Sequence, residues 1–170
     1  MTKVVDTNVA LVVKFPDEHP PALVDACEEF LEEVLTRRLT VVTDEGGEIV
    51  EEYFHQLSRS GGPSLGDAFA RYVHDHRYGW DPELRPDIVP AAGLENIYRV
   101  LDGDDAEIDP SDRKFVAAAK VAGVPVVEST DTKWLDWGPV LARHGVVVEW
   151  IDERAIRIAY REKFGRKAPR

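Results

Sequence analysis

Four short runs of β-branched residues alternate with stretches of helical period, and this alternation constrains the fold more than any other feature. The runs are Val4-Val5, Leu39-Thr40-Val41-Val42-Thr43, Val124-Pro125-Val126-Val127-Glu128 and Val146-Val147-Val148-Glu149-Trp150-Ile151. Each is nearly continuous in apolar character, as strands buried on both faces are. Between them, Leu23, Cys27, Phe30, Leu31, Val34 and Leu35 recur at helical spacing, and so do Ile49, Val50, Tyr53, Phe54 and Leu57. Further helices are expected over 110–122, over Trp134 to Arg143 with a break at Gly138-Pro139, and after Ile151. The order predicts a three-layer α/β/α fold around a central parallel sheet. Right-handed crossovers would then set the carboxyl end of every strand on one edge.

Length suits a single domain over 1–170, with a core at about 3–151 and a basic helix and tail at 152–170. No run approaches the roughly 18 apolar residues of a membrane span, and the chain opens on a strand where a secretory segment would carry its apolar region. Cys27 is the only cysteine. It excludes an internal disulfide and a multi-cysteine zinc site, fits a reducing cytoplasm, and reads as a small buried hydrophobe. Net charge is −11, which repels phosphate as a whole. The last stretch is the exception, with Arg154, Arg157, Arg161, Lys163, Arg166, Lys167 and Arg170 against Glu153 and Glu162.

Residues 58–108 are the least regular. Asp67 to Asp75 and Glu95 to Leu101 read as short helices on a helical excursion with too few apolar residues for a core of its own. His74 and His76 lie there with no partner spacing for a metal site. The glutamates Glu28, Glu29, Glu32 and Glu33 form a solvated helix face.

Acids keep returning to the expected carboxyl edge. Asp6 ends the first strand and Asp131 follows the third. Asp112 falls in the first turn of a helix that begins at that edge, with Pro110 at its first position and Asp109 as its cap. On the helix from Glu48, Glu48 points to solvent, while Glu51 and Glu52 lie on the two rims of the apolar face, where either can turn towards a strand end. Each acid has a structural reading: Asp6, Asp44 and Asp131 as caps, Asp109 and Asp112 as a capping-box-like pair. Together they would crowd carboxylates into one small volume, which raises their pKa values unless a cation intervenes. Mg²⁺ or Mn²⁺ is the natural occupant of an all-oxygen site, and such ions activate water for phosphodiester displacement.

VVDTN at 4–8, EIVEEY at 48–53, DPSDRKFVAAAKVAGVPVV at 109–127 and STDTKW at 129–134 together resemble the PIN-domain ribonucleases, a family that includes the toxins of bacterial toxin–antitoxin pairs. The resemblance implies Asp6, Glu52, Asp112 and Asp131 as catalytic, metal-binding acids, and favours Glu52 over Glu51 because it directly precedes Tyr53. Thr7, Asn8 and Thr130 would orient the carboxylates, with Asp44, Glu51 and Asp109 as alternates. It implies metal-dependent hydrolysis of RNA in the cytoplasm, and admits an antitoxin protein as partner and a homodimer as assembly.

Other edge-acid folds fit less well. A haloacid-dehalogenase-like phosphatase needs a second acid two residues after Asp6, where the chain has Asn8. A phosphoacceptor receiver needs an acidic pair and a lysine that are not evident. The non-enzyme alternative is a silent PIN-like module that binds RNA or a partner protein without cutting.

Overall fold

The structure is a computed structural model that describes residues 1–169. Four strands, β1 (Thr2–Val5), β2 (Thr40–Val42), β3 (Val126–Glu128) and β4 (Val148–Trp150), form one parallel sheet in the order β2-β1-β3-β4. Seven α-helices accompany it among the described residues: α1 (Thr7–Lys14), α2 (Pro21–Leu35), α3 (Glu48–Gln56), α4 (Leu65–His76), α5 (Arg113–Ala122), α6 (Gly138–Arg143) and α7 (Glu153–Phe164). Successive strand residues such as Val4 and Val5, Val41 and Val42, and Val126 and Val127 are all buried. Since neighbouring strand side chains point to opposite faces, both faces of the sheet are covered, as in a three-layer α/β/α arrangement. β2, β3 and β4 are shorter than their apolar runs, because only the central residues find a partner in register, whereas β1 starts two residues before its run, at Thr2, which pairs with Thr40.

One core cluster runs from Val4 to Val146 and takes in Phe69, Ala70, Val73, Ile88, Tyr98 and Leu101 from the irregular middle of the chain. That segment therefore packs into the common core. Its helix α4 starts on a capping box between Ser64 and Asp67 and crosses α1 so closely that a Cβ on Gly66 would lie 2.2 Å from the carbonyl oxygen of Ala10. The helix expected over Glu95 to Leu101 is absent. Only a 3-10 turn at Arg99–Leu101 forms there, after an antiparallel bridge between Pro90 and Tyr98.

Two further departures bear on the site. A helix, α1, follows β1 directly, ahead of the Pro-containing stretch at 15–21; its apolar run Val9-Ala10-Leu11-Val12-Val13 carries no polar break and reads equally well as a strand. The capping box expected between Asp109 and Asp112 does not form. The helix starts three residues later than Pro110, at Arg113, and Asp112 makes no side-chain capping bond. Among the described residues, no helix is long and apolar enough to cross a membrane.

Candidate active site

The β1–β3 register builds the centre of the site. Val5 pairs with Val127, and Asp6 N donates to Val127 O at 3.0 Å. The next residues along, Asp6 and Glu128, therefore emerge side by side at the carboxyl edge, 2% and 0% exposed. Three consecutive main-chain N–H groups, of Ser129, Thr130 and Asp131, donate to Glu128 Oε1 at 2.7, 2.9 and 3.0 Å. Glu128 is thus fixed in position by the turn that leaves β3. Its other oxygen, Oε2, lies 3.5 Å from Asn8 Nδ2.

Asp6 is held at one oxygen only. Oδ1 accepts from Asn8 N at 2.8 Å, which makes it the N-cap of α1. Oδ2 is buried with no hydrogen-bond donor in reach, and so is Thr7 Oγ1 beside it. Burial, then the charges of Glu128 and Asp112, push the Asp6 carboxyl well above the usual range. Burial also raises Glu128, although a proton shared with Asp6 and the main-chain N–H groups would oppose the rise. Two acceptors can share a bond only through a proton or a cation, so the pair is incomplete as two carboxylates.

Asp112 completes the cluster from the foot of α5. It is raised to about 7 by burial, then by Asp131, Glu128 and Asp109, with Lys133 opposing. Asp131 caps the following 3-10 turn (Thr132–Leu135), accepting from Lys133 N at 2.9 Å. The Lys133 ammonium in turn pairs with Asp109. Lys133 thereby places one positive charge at the rim of four negative ones.

The remaining expected acids stand apart. Glu52 is on α3, where its carboxylate takes the buried Lys114 ammonium at 3.0 Å, and Lys114 also donates to Ser111 O at 2.9 Å. Glu52 lies beside the foot of α5 but its charge is already matched. Glu51 pairs with Arg59 at 2.8 Å on the surface. Asp44 caps α3, accepting from Glu48 N and Ile49 N at 2.9 and 2.8 Å. Glu48 does not point to solvent; it is half-buried and accepts from Tyr98 Oη. His74 and His76 bond to Asp75 and to the Tyr72 carbonyl.

In and beside the site, sequence reasoning missed the buried charges of Glu128 and Lys114. Glu128 ends a Val-Val-acid run that mirrors Val4-Val5-Asp6, and that likeness was the signal for it. Lys114 had no such signal, because a lysine on a helix ordinarily faces water. Two flanking residues fix the surroundings: Tyr53 Oη donates to Val5 O at 2.7 Å, tying α3 to the end of β1. Cys27, buried under the site, is pushed up to about 12 by burial and then by Glu128, which leaves it an inert thiol.

Among the described residues, no three His, Cys, Asp or Glu side chains stand together as a ready metal-binding group. The donor set nevertheless fits a hard cation. It is made of carboxylates, its members raise one another's pKa, and Asp6 Oδ2 is a buried acceptor without a donor. The chain matches no family model, no curated protein and no solved structure. Fold and site together define an α/β protein with a buried carboxylate cluster at the carboxyl edge of a four-stranded parallel sheet.

Proposed function

We propose that the protein is a PIN-like, metal-dependent endoribonuclease that holds Mg²⁺ or Mn²⁺ among Asp6, Glu128, Asp112 and Asp131. The observation that carries this reading is the Asp6–Glu128 pair. A fold gains nothing from burying two facing carboxylates, one of them short of a donor, unless something positive joins them. The bound ion would supply a water of lowered pKa and offset phosphate charge. The chain's own part is placement. The turn at 129–131 fixes Glu128, Asn8 spans the Asp6 and Glu128 carboxylates, and Lys133 pairs with Asp109 beside them. A ligand role for Glu52 requires Lys114 to release it. The four segments that resemble the PIN family contain Asp6, Asp112 and Asp131 themselves, and the third one runs up to Glu128.

The test is incubation of purified protein with labelled RNA plus Mn²⁺ or Mg²⁺, against an EDTA control, together with Asp6→Asn. Cleavage should need metal and be lost in the variant. Metal at a hundredfold excess over its dissociation constant should stabilise the parent by about 2.7 kcal/mol and the variant much less. RNA that is bound but never cut, with no metal-dependent melting shift, would favour the silent binding module.

A further inference from the structure

We infer that the exposed face of α7 grips single-stranded RNA and feeds it to the carboxylate cluster, an inference that rests on the ribonuclease reading above. Residues 153–169 carry six basic and two acidic side chains, in a chain whose net charge is −11. The remainder is therefore still more acidic, and this stretch is where positive charge is most concentrated along the sequence. That surface has a built shape. Arg154, Arg157 and Arg161, on one side of α7, line a groove of about 650 Å³ with Glu153, Ile158, Lys167 and Ala168.

The division of labour within the groove is legible in its ion pairs. Arg157 is committed internally: Nε lies 3.0 Å from Glu153 Oε1 and Nη1 donates to Pro169 O at 2.7 Å, which folds the tail back along the helix. Arg154, Arg161 and Lys167 are exposed and have no ion pair among the described residues. Three free cations beside a pinned tail suit a phosphate chain, and guanidinium forks match phosphate geometry.

The other end of α7 reaches the site. Tyr160 Oη donates to Asp136 Oδ1 at 2.5 Å, and Leu135, Ile156 and Tyr160 pack together. Lys163 Nζ lies 3.5 Å from Thr132 Oγ1, one residue past Asp131. Here Phe164 is 40% exposed, with Lys163 Nζ and Arg166 Cζ at 5.3 and 5.9 Å from its ring. A basic track ending in an exposed aromatic ring is how single strands are held, since every unpaired base has a face to stack. A duplex, with its bases already stacked, would use the track and ignore the ring.

Binding of fluorescein-labelled oligouridine in EDTA, followed by anisotropy across about 50 to 200 mM salt, tests this separately from cleavage. For R154Q/R161Q/K167Q the salt slope should fall by about two, from three contacts of roughly 0.7 each, with roughly tenfold weaker binding or more. F164A should weaken binding of the single strand roughly tenfold while keeping the slope and leaving duplex RNA unaffected. The charge-matched surface variant R37Q/R38Q/R99Q should leave the slope in place, and all variants should melt as the parent does. An unchanged slope in the α7 variant, or an equal fall in the control, overturns the inference, as does capture of phosphatidylserine vesicles in place of RNA. Should the parent hold RNA through α7 yet fail to cut it with Mn²⁺, the ribonuclease reading falls and the RNA-binding face stands.

Discussion

Asp6 and Glu128 are neighbours because Val5 and Val127 are paired: a strand register puts two buried carboxylates side by side. Their meeting owes nothing to side-chain attraction. The hydrogen bonds of the sheet, together with Tyr53 Oη on the Val5 carbonyl, hold apart from water two groups that would otherwise separate. The cost is recovered only when a proton or cation lies between them.

Glu128→Gln should make the metal-free protein more stable. A glutamine oxygen can still accept from the N–H groups of 129–131, while its amide can donate to Asp6. The gain of one hydrogen bond is about 1 kcal/mol, or roughly 2–4 °C in a chain of this length. Metal-dependent cleavage should vanish. Glu128→Ala, which strands three donors, should melt below the parent. Melting curves in EDTA for both variants check the pair of signs.

Asp112 should impose a pH dependence. Between the ordinary carboxylate value and about 7, the folded protein binds a proton that the unfolded chain has lost. Stability of the metal-free protein from this group therefore falls as the pH rises through that window, and changes little above it. Asp112→Asn should remove that slope in denaturant titrations. Metal binding requires the ionised acid, so Mn²⁺ affinity should rise with pH up to about 7 and level off.

Lys114 and Glu52 should behave as one unit. Lys114→Met leaves a half-buried carboxylate facing a missing partner and should cost about 3 kcal/mol. Glu52→Gln should cost a similar amount for the converse reason, and the double variant E52Q/K114M much less than the two together. A double-mutant cycle in urea reads the coupling, expected at roughly 1 kcal/mol or more. Additive costs would mean that the pair is not closed in solution, leaving Glu52 available to the cluster.

Gly66→Ala tests the packing of the middle segment. The added methyl would have to occupy the space of the Ala10 carbonyl oxygen, 2.2 Å away. Main chain cannot yield as a flexible side chain does, so α1 and α4 must separate, at about 3 kcal/mol. Chemical denaturation of the variant measures it, and a loss below roughly 1 kcal/mol would contradict the crossing as described.

The sheet was legible because its strands are short, β-branched and apolar on both faces, a pattern few other arrangements can bury. The edge carrying the acids followed from the topology. Which acids meet did not, because that depends on register and on competing partners. Asp112 looks like a helix-capping acid in the sequence, and the structure gives it no cap to make. Asp44 looks equally suited to a site, yet two main-chain N–H groups occupy it. Glu52 was set aside by a lysine 62 positions away, a pairing that no local pattern announces.

The three N–H groups that fix Glu128 belong to the backbone of residues 129–131, and a backbone donor is the same whatever side chain it carries. Position 130, half-exposed, should therefore accept wide substitution in a saturation library selected for folding and metal affinity. Position 129 should be limited by space alone. Proline, the one residue without the donor, should be rejected at both. A site anchored in this way is nearly invisible in the identity of its supporting residues. Two relatives could keep the same anchor while sharing no letter there beyond the acid itself.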